Sequence, residues 1–73
     1  MEINYRIKEI RVKRGLTIRE LSIKSGVSKS EISYIERGKF HPTVLTICLL
    51  AVALNVDARE LFDYKVFNIL DKY

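Results

Sequence analysis

Two short boxes, Thr17-Ile18-Arg19-Glu20 and Ser28-Lys29-Ser30-Glu31, lie eleven residues apart in this chain with Gly26 between them. Each is an S/T-x-x-E pattern, in which a hydroxyl caps a helix start and a glutamate three residues on reaches back to the cap amide. Glycine readily takes the left-handed conformation that stops a helix. Two helix starts this close, punctuated by Gly26, predict a helix, a tight turn and a second helix over about residues 17–38. A helix presented in this way can enter the major groove, which makes double-stranded DNA the leading candidate partner.

The same punctuation divides the rest of the chain. A first helix is predicted from near Asn4 to Gly15, with Ile3, Ile7 and Ile10 spaced to face inward. The helix opened by Thr17 buries Leu21, and the one from Ser28 to Gly38 buries Ile32 and Ile35. Pro42 precedes Thr43, which reads as the cap of a fourth helix running to about Leu54, with Asn55 as its left-handed stop. Asp57-Ala58-Arg59-Glu60 is a further cap-and-reach-back pair and opens a fifth helix. Five short helices predict an all-α fold in one domain over residues 1–73, whose core contributes no more than about 3–5 kcal/mol net.

Charge separates the chain into two halves. Residues 1–40 carry ten Lys or Arg and five Glu, whereas residues 41–73 carry three basic and four acidic residues. A basic half joined to a near-neutral, more apolar one suits a domain with one side toward a polyanion and the other toward packing. Cys48 is the single cysteine, so no intrachain disulfide can form, and with no secretory leader visible a cytoplasmic, nucleoid-associated location is expected. The apolar run Val44–Leu54 is eleven residues long, short of the roughly 20 needed to span a bilayer, so no membrane partner is expected.

The segments IKEIRVKRGLT, ELSIKSGVSKSEISYIERGKFHPT and ALNVDARELF resemble, in this order, the Cro and lambda-repressor type helix-turn-helix domain, also called the xenobiotic-response-element family. The resemblance covers Ile7 to Phe62. It implies a compact five-helix, lambda-repressor-like DNA-binding fold in which the helix from Lys29 to Arg37 lies in the major groove. At about 100° per residue, Lys29, Ser30, Ser33, Tyr34 and Arg37 fall within one arc of about 140°, while Glu31, Ile32, Ile35 and Glu36 take the opposite side. Periodicity therefore isolates the polar face, and the resemblance assigns it to DNA. Lys29 can donate to guanine, Ser30 and Ser33 can donate or accept, and Tyr34 can pack on a thymine methyl or bond a phosphate.

Phosphate contacts are expected from Arg37 and from groups flanking that helix: Thr17 with the amides opening the second helix, Arg19, Lys39 and Thr43. The family usually carries glutamine where this chain has Ile18, so one familiar phosphate donor is missing and Arg19 is the candidate to compensate. The resemblance also implies that Arg11 pairs with Glu36 away from water, a structural role rather than base reading.

The fourth helix carries a second signal. From Val44 to Leu54 it has almost no polar stripe, and a helix apolar all round is expected to be covered all round. Aligned to the family, Ile47, Leu50, Ala51 and Leu54 face the core, which leaves Leu45, Cys48, Leu49 and Val52 outward. Phe62, Val66, Ile69, Leu70 and Tyr73 recur at spacings that suit an amphipathic helical tail over about residues 63–73, although Tyr64–Ile69 could instead form a strand pairing with residues 1–5. Together with Phe67, these surfaces are the expected homodimer interface: Leu45, Cys48, Leu49, Val52, Phe62, Val66, Phe67 and Leu70.

No catalytic or metal-ligating constellation accompanies the motif. His41 and Cys48 are single residues of their kinds, and there is no glycine-rich phosphate loop. A non-enzymatic protein without cofactor or small-molecule ligand is expected. The function indicated is sequence-specific DNA-binding transcriptional regulation, as a repressor, by a homodimer on a near-palindromic operator. The competing possibility is a protein-interaction module, such as an antitoxin or anti-repressor, whose fourth helix and tail grip a different protein partner.

Overall fold

The computed structural model describes residues 1–67, in the order β1 (Glu2–Tyr5), α1 (Ile7–Lys13), α2 (Ile18–Ser25), α3 (Lys29–Glu36), α4 (Val44–Leu54), a single 3-10 turn (Ala58–Leu61) and β2 (Phe62–Lys65). Among the described residues, four helices and a small antiparallel ribbon therefore replace the expected five-helix, all-α arrangement. Leu70, with Ile69 and Tyr73 of the expected tail, lies outside the described residues.

The departures share one cause. Glu2-Ile3-Asn4-Tyr5 and Phe62-Asp63-Tyr64-Lys65 both alternate apolar and polar residues with a period of two, the signature of a half-buried strand. They pair in the register Ile3↔Tyr64 and Tyr5↔Phe62, so these four side chains share one face and Glu2, Asn4, Asp63 and Lys65 the other. α1 consequently starts at Ile7, three residues later than expected from Asn4. The fifth helix is cut to one turn because Phe62 is already extended, at φ −154° and ψ 160°. The strand alternative for the tail has the correct partner but begins too late in sequence.

Arg6 fastens the base of the ribbon. Its backbone N–H donates to Leu61 O at 2.7 Å, and its guanidinium donates to Asp63 Oδ2 at 2.6 Å, Glu60 O at 3.0 Å and Phe62 O at 3.3 Å. Tyr5 Oη lies 2.8 Å from His41 Nδ1, which ties β1 to the loop between α3 and α4.

α2, α3 and α4 each begin at a hydroxyl cap, whereas α1 starts after Arg6 without one. Thr17 Oγ1 accepts from the Glu20 amide at 3.0 Å and Glu20 Oε1 accepts from the Thr17 amide at 2.9 Å, a complete reciprocal box that holds the Glu20 carboxyl below its ordinary range. The second box is half formed. Ser28 Oγ accepts from the Glu31 amide at 3.1 Å, but the Glu31 carboxylate turns away and accepts from Thr46 Oγ1 at 3.2 Å. That glutamate links α3 to α4 instead of closing its own cap.

The core is aliphatic. Ile7, Leu21, Ile32, Ile35, Leu50, Leu54 and Leu61 are fully buried, with Val27, Ile47 and Ala51 beside them, so every helix and the 3-10 turn contribute. One ion pair lies against this core. Arg11 Nε donates to Glu36 Oε2 at 2.7 Å and Arg11 Nη2 to Glu36 Oε1 at 3.0 Å, with the two side chains only 11% and 5% exposed. Arg11 Nη1 also donates to Leu16 O at 2.8 Å, so one guanidinium joins α1, the turn before α2 and the end of α3.

Glu36→Ala should lower stability by about 3–5 kcal/mol, because the guanidinium it leaves is buried without a counter-charge and keeps only its bond to Leu16 O, whereas Lys29→Ala should leave the melting temperature within a few degrees of wild type. Thermal melts in the reverse order would contradict this division. A second expectation concerns acid. Hydrogen bonds from the Arg59 side chain and backbone draw the Asp57 carboxyl down to about 2. With the unfolded value near about 3.9, that stabilisation is complete above it and fades as pH falls through about 2. Asp57→Asn keeps a capping oxygen but cannot titrate. Its melting temperature should therefore change less than that of wild type between about pH 4 and pH 2, as circular dichroism melts can show.

Candidate nucleic-acid interface

The turn between α2 and α3 sets the angle at which α3 is displayed. Gly26 adopts φ +78°, a left-handed conformation that costs a side-chain-bearing residue energy, and its amide closes α2 on Ser22 O. Ser25 is buried and its hydroxyl accepts from the Val27 amide at 3.1 Å, so the turn's polar groups are paired inside the fold. Val27 then enters the core and Ser28 starts α3.

Burial divides α3 along its length. Ile32 and Ile35 are sealed inside, while Lys29, Ser30, Tyr34 and Arg37 are exposed and Ser33 is half-buried. The five outward polar residues line one shallow cleft, together with Ile18 from the start of α2. Arg37 is folded back over Tyr34, its guanidinium carbon 5.1 Å from the ring centroid, within cation–π range. Its Nε lies 3.4 Å from Ser33 O, a long hydrogen bond. The phenol and the guanidinium are thus held as a pair at one end of the cleft.

The flanking groups differ in what they have left to offer. Thr17 Oγ1 accepts from Glu20, and its own hydroxyl proton remains for an external acceptor. Arg19 and Lys39 are exposed. Thr43 is committed elsewhere: its hydroxyl accepts from the Thr46 amide at 3.2 Å and donates to Thr46 Oγ1 at 3.2 Å, and Thr46 in turn donates to Glu31. A phosphate contact from Thr43 requires giving up that hydroxyl chain, which the sequence patterns did not reveal. Arg11 and Glu36 lie apart from the cleft, bound to each other.

A second surface is apolar. On α4, Val44 and Val52 are each 80% exposed, and Leu45, Cys48 and Leu49 are exposed beside them. A groove of about 310 Å³ runs between α4 and the apolar face of the ribbon, with Ile3, Tyr5, Phe62, Val44 and Cys48 among its walls. Tyr64 on β2, and Val66 and Phe67 just after it, are exposed. Of the eight residues expected at an interface, seven are described, and all but half-buried Phe62 are exposed. The β1 side chains Ile3 and Tyr5 are not among the expected interface residues, although the strand alternative already pairs residues 1–5 with the tail.

This chain belongs to the helix-turn-helix family of Cro and lambda-repressor type, which it matches over residues 7–61. It is 44% identical over 52 residues to the HTH-type transcriptional regulator y4dJ of Sinorhizobium fredii, a match covering 71% of this chain and 68% of that one. Among solved structures it is similar to the restriction-modification controller protein C.AhdI from Aeromonas hydrophila, with a TM-score of 0.73 and 34% identity over 75% of this chain and 83% of that one. It is also similar to the controller C.Esp1396I, whose tetramer has been solved on its natural 35-base-pair operator (TM-score 0.67, 35% identity, covering 70% and 67% of the two chains).

Replacing a residue of the outward face should weaken binding without unfolding the protein. Lys29→Ala and Arg37→Ala should each reduce affinity for a cognate duplex by about 10-fold, the scale of one charge-assisted contact. Titration by fluorescence anisotropy checks this. Affinities within twofold of wild type for both variants would remove the cleft from the interface.

Proposed function

We propose that this DNA-binding transcriptional regulator represses by occupying a near-palindromic operator as a homodimer, with α3 of each protomer in successive major grooves. The observation that carries the reading is the sorting of α3. All five polar groups of one arc face outward in one cleft, while Ile32 and Ile35 of the other arc are sealed in the core. Lys29, Ser30, Ser33 and Tyr34 address base edges, and Thr17, Arg19, Arg37 and Lys39 address phosphate, with Thr43 as a further phosphate group if it leaves Thr46. The role is non-catalytic and is exercised at the nucleoid.

The apolar surface supports self-association. Val44, Leu45, Cys48, Leu49 and Val52 form a contiguous exposed face on one helix, the kind of patch a stable monomer of this size rarely presents. A two-fold axis through such a face yields an isologous pair, and two recognition helices about 34 Å apart fit one turn of duplex. Repression needs nothing beyond occupancy, which these two surfaces supply. The controller solved on its operator as a tetramer shows that a relative of this fold assembles on DNA.

Three exposed cations per protomer (Arg19, Arg37 and Lys39) predict about six neutralised phosphates per dimer. The logarithm of affinity should then fall against the logarithm of salt concentration with a slope near about −5. Sedimentation equilibrium should give a dimer at micromolar concentration, and Val44→Lys with Val52→Lys should give a monomer that is still folded. Undetectable binding across a random duplex pool, with a dimer still present, would favour a protein-interaction module. A wild-type monomer at high micromolar concentration would remove the homodimer.

A further inference from the structure

The cleft on α3 is polar except on one side. Five of its walls are the outward residues of α3, and the sixth is Ile18, the first helical residue of α2. Ile18 is half-buried, with its inner side packed against the core cluster. Its branched side chain is stiff about χ1, so the part left in the cleft has a fixed position. Directly after the Thr17 cap, the backbone orients it toward the same space that Lys29 and Ser30 enter from α3.

An apolar wall on a surface facing base edges restricts what can lie against it. The major groove offers hydrogen-bond donors, acceptors and a single apolar group, the C5 methyl of thymine. A donor or acceptor pressed against Ile18 would lose water and gain no partner. A methyl there removes apolar surface from water on both sides. Lys29 and Ser30 on the same cleft wall remain free to bond the polar edge of the same or the adjacent base pair.

We infer that Ile18 is a specificity-determining residue that receives a thymine C5 methyl in each half-site. The inference rests on the DNA-reading role of α3 proposed above, and its test separates the two. Duplexes enriched from a random pool by the wild-type protein are remade with uracil in place of one thymine at a time, a change that removes only the methyl. At one position per half-site, uracil should weaken wild-type binding by about fourfold, the effect of one methyl-sized group withdrawn from an apolar contact. Ile18→Ala should bind the thymine and uracil duplexes alike at that position. Because Ile18 also packs on the core, melts accompany the binding data, and Ile18→Thr keeps the branch at Cβ while replacing the ethyl arm with a hydroxyl; it too should lose the discrimination. Equal affinity of the wild-type protein for every thymine and uracil pair overturns the inference and leaves DNA reading by α3 intact. A fourfold penalty that persists in both variants assigns the methyl to another side chain and also overturns it. Failure to enrich any duplex removes the DNA-reading role and this inference with it.

Discussion

The buried pairing of Arg11 with Glu36 is the contact on which the working geometry depends. Its two parallel hydrogen bonds have both partners largely shielded from water, and a third bond from the same guanidinium holds the carbonyl of Leu16. The Glu36 hydrogen bond raises the Arg11 pKa despite burial, so the guanidinium stays charged across all ordinary conditions. A pair like this adds little net stability over well-packed apolar residues, since desolvation offsets most of the attraction. What it adds is geometry. A planar fork meeting a carboxylate allows few orientations, and these fix the far end of α3 relative to α1 and to the turn that launches α2.

With that end fixed, Ser28 and Gly26 fix the other. The cap sets where α3 begins, the left-handed glycine sets how sharply the chain turns into it, and Ile32 and Ile35 set its rotation. Nothing on the outward face is needed to hold the helix in place. Lys29, Ser30, Ser33, Tyr34 and Arg37 are therefore free to serve recognition, and the Arg37 guanidinium lies over the Tyr34 ring. The apolar surface lies on α4 and the ribbon. Recognition and self-association can occupy different surfaces of one small domain, at a size where each residue has few structural duties to spare.

The helix-turn-helix was legible because its determinants are local. Thr17, Gly26 and Ser28 act within three or four residues of themselves, and the inward Ile32 and Ile35 follow a 3.6-residue period that no long-range contact has to supply. The ribbon was harder to read because its strands are four residues each and are joined only by pairing across nearly the whole chain. Ile3 fits the inward spacing of a helix with Ile7 and Ile10 as well as it fits the strand face it shares with Tyr5. Only the complementary alternation of residues 62–65 settles the matter. Glu31 shows the same limit on a smaller scale. Its position three residues after Ser28 predicts a closed box, but Thr46, fifteen residues on, offers the competing donor that takes its carboxylate. Ile18 was visible only as a departure from the family's usual glutamine, and its place in the cleft became apparent once α2 and α3 were packed together.

The most direct measurement of whether the outward face of α3 meets DNA is a backbone amide chemical-shift map of the labelled protein titrated with a cognate duplex. Perturbations concentrated at Ser28–Arg37 and at the start of α2, with the amides of Val44–Leu54 and of the ribbon comparatively still, are the predicted result. Shifts confined to α4 and the ribbon, with Lys29 and Tyr34 unmoved, would contradict it.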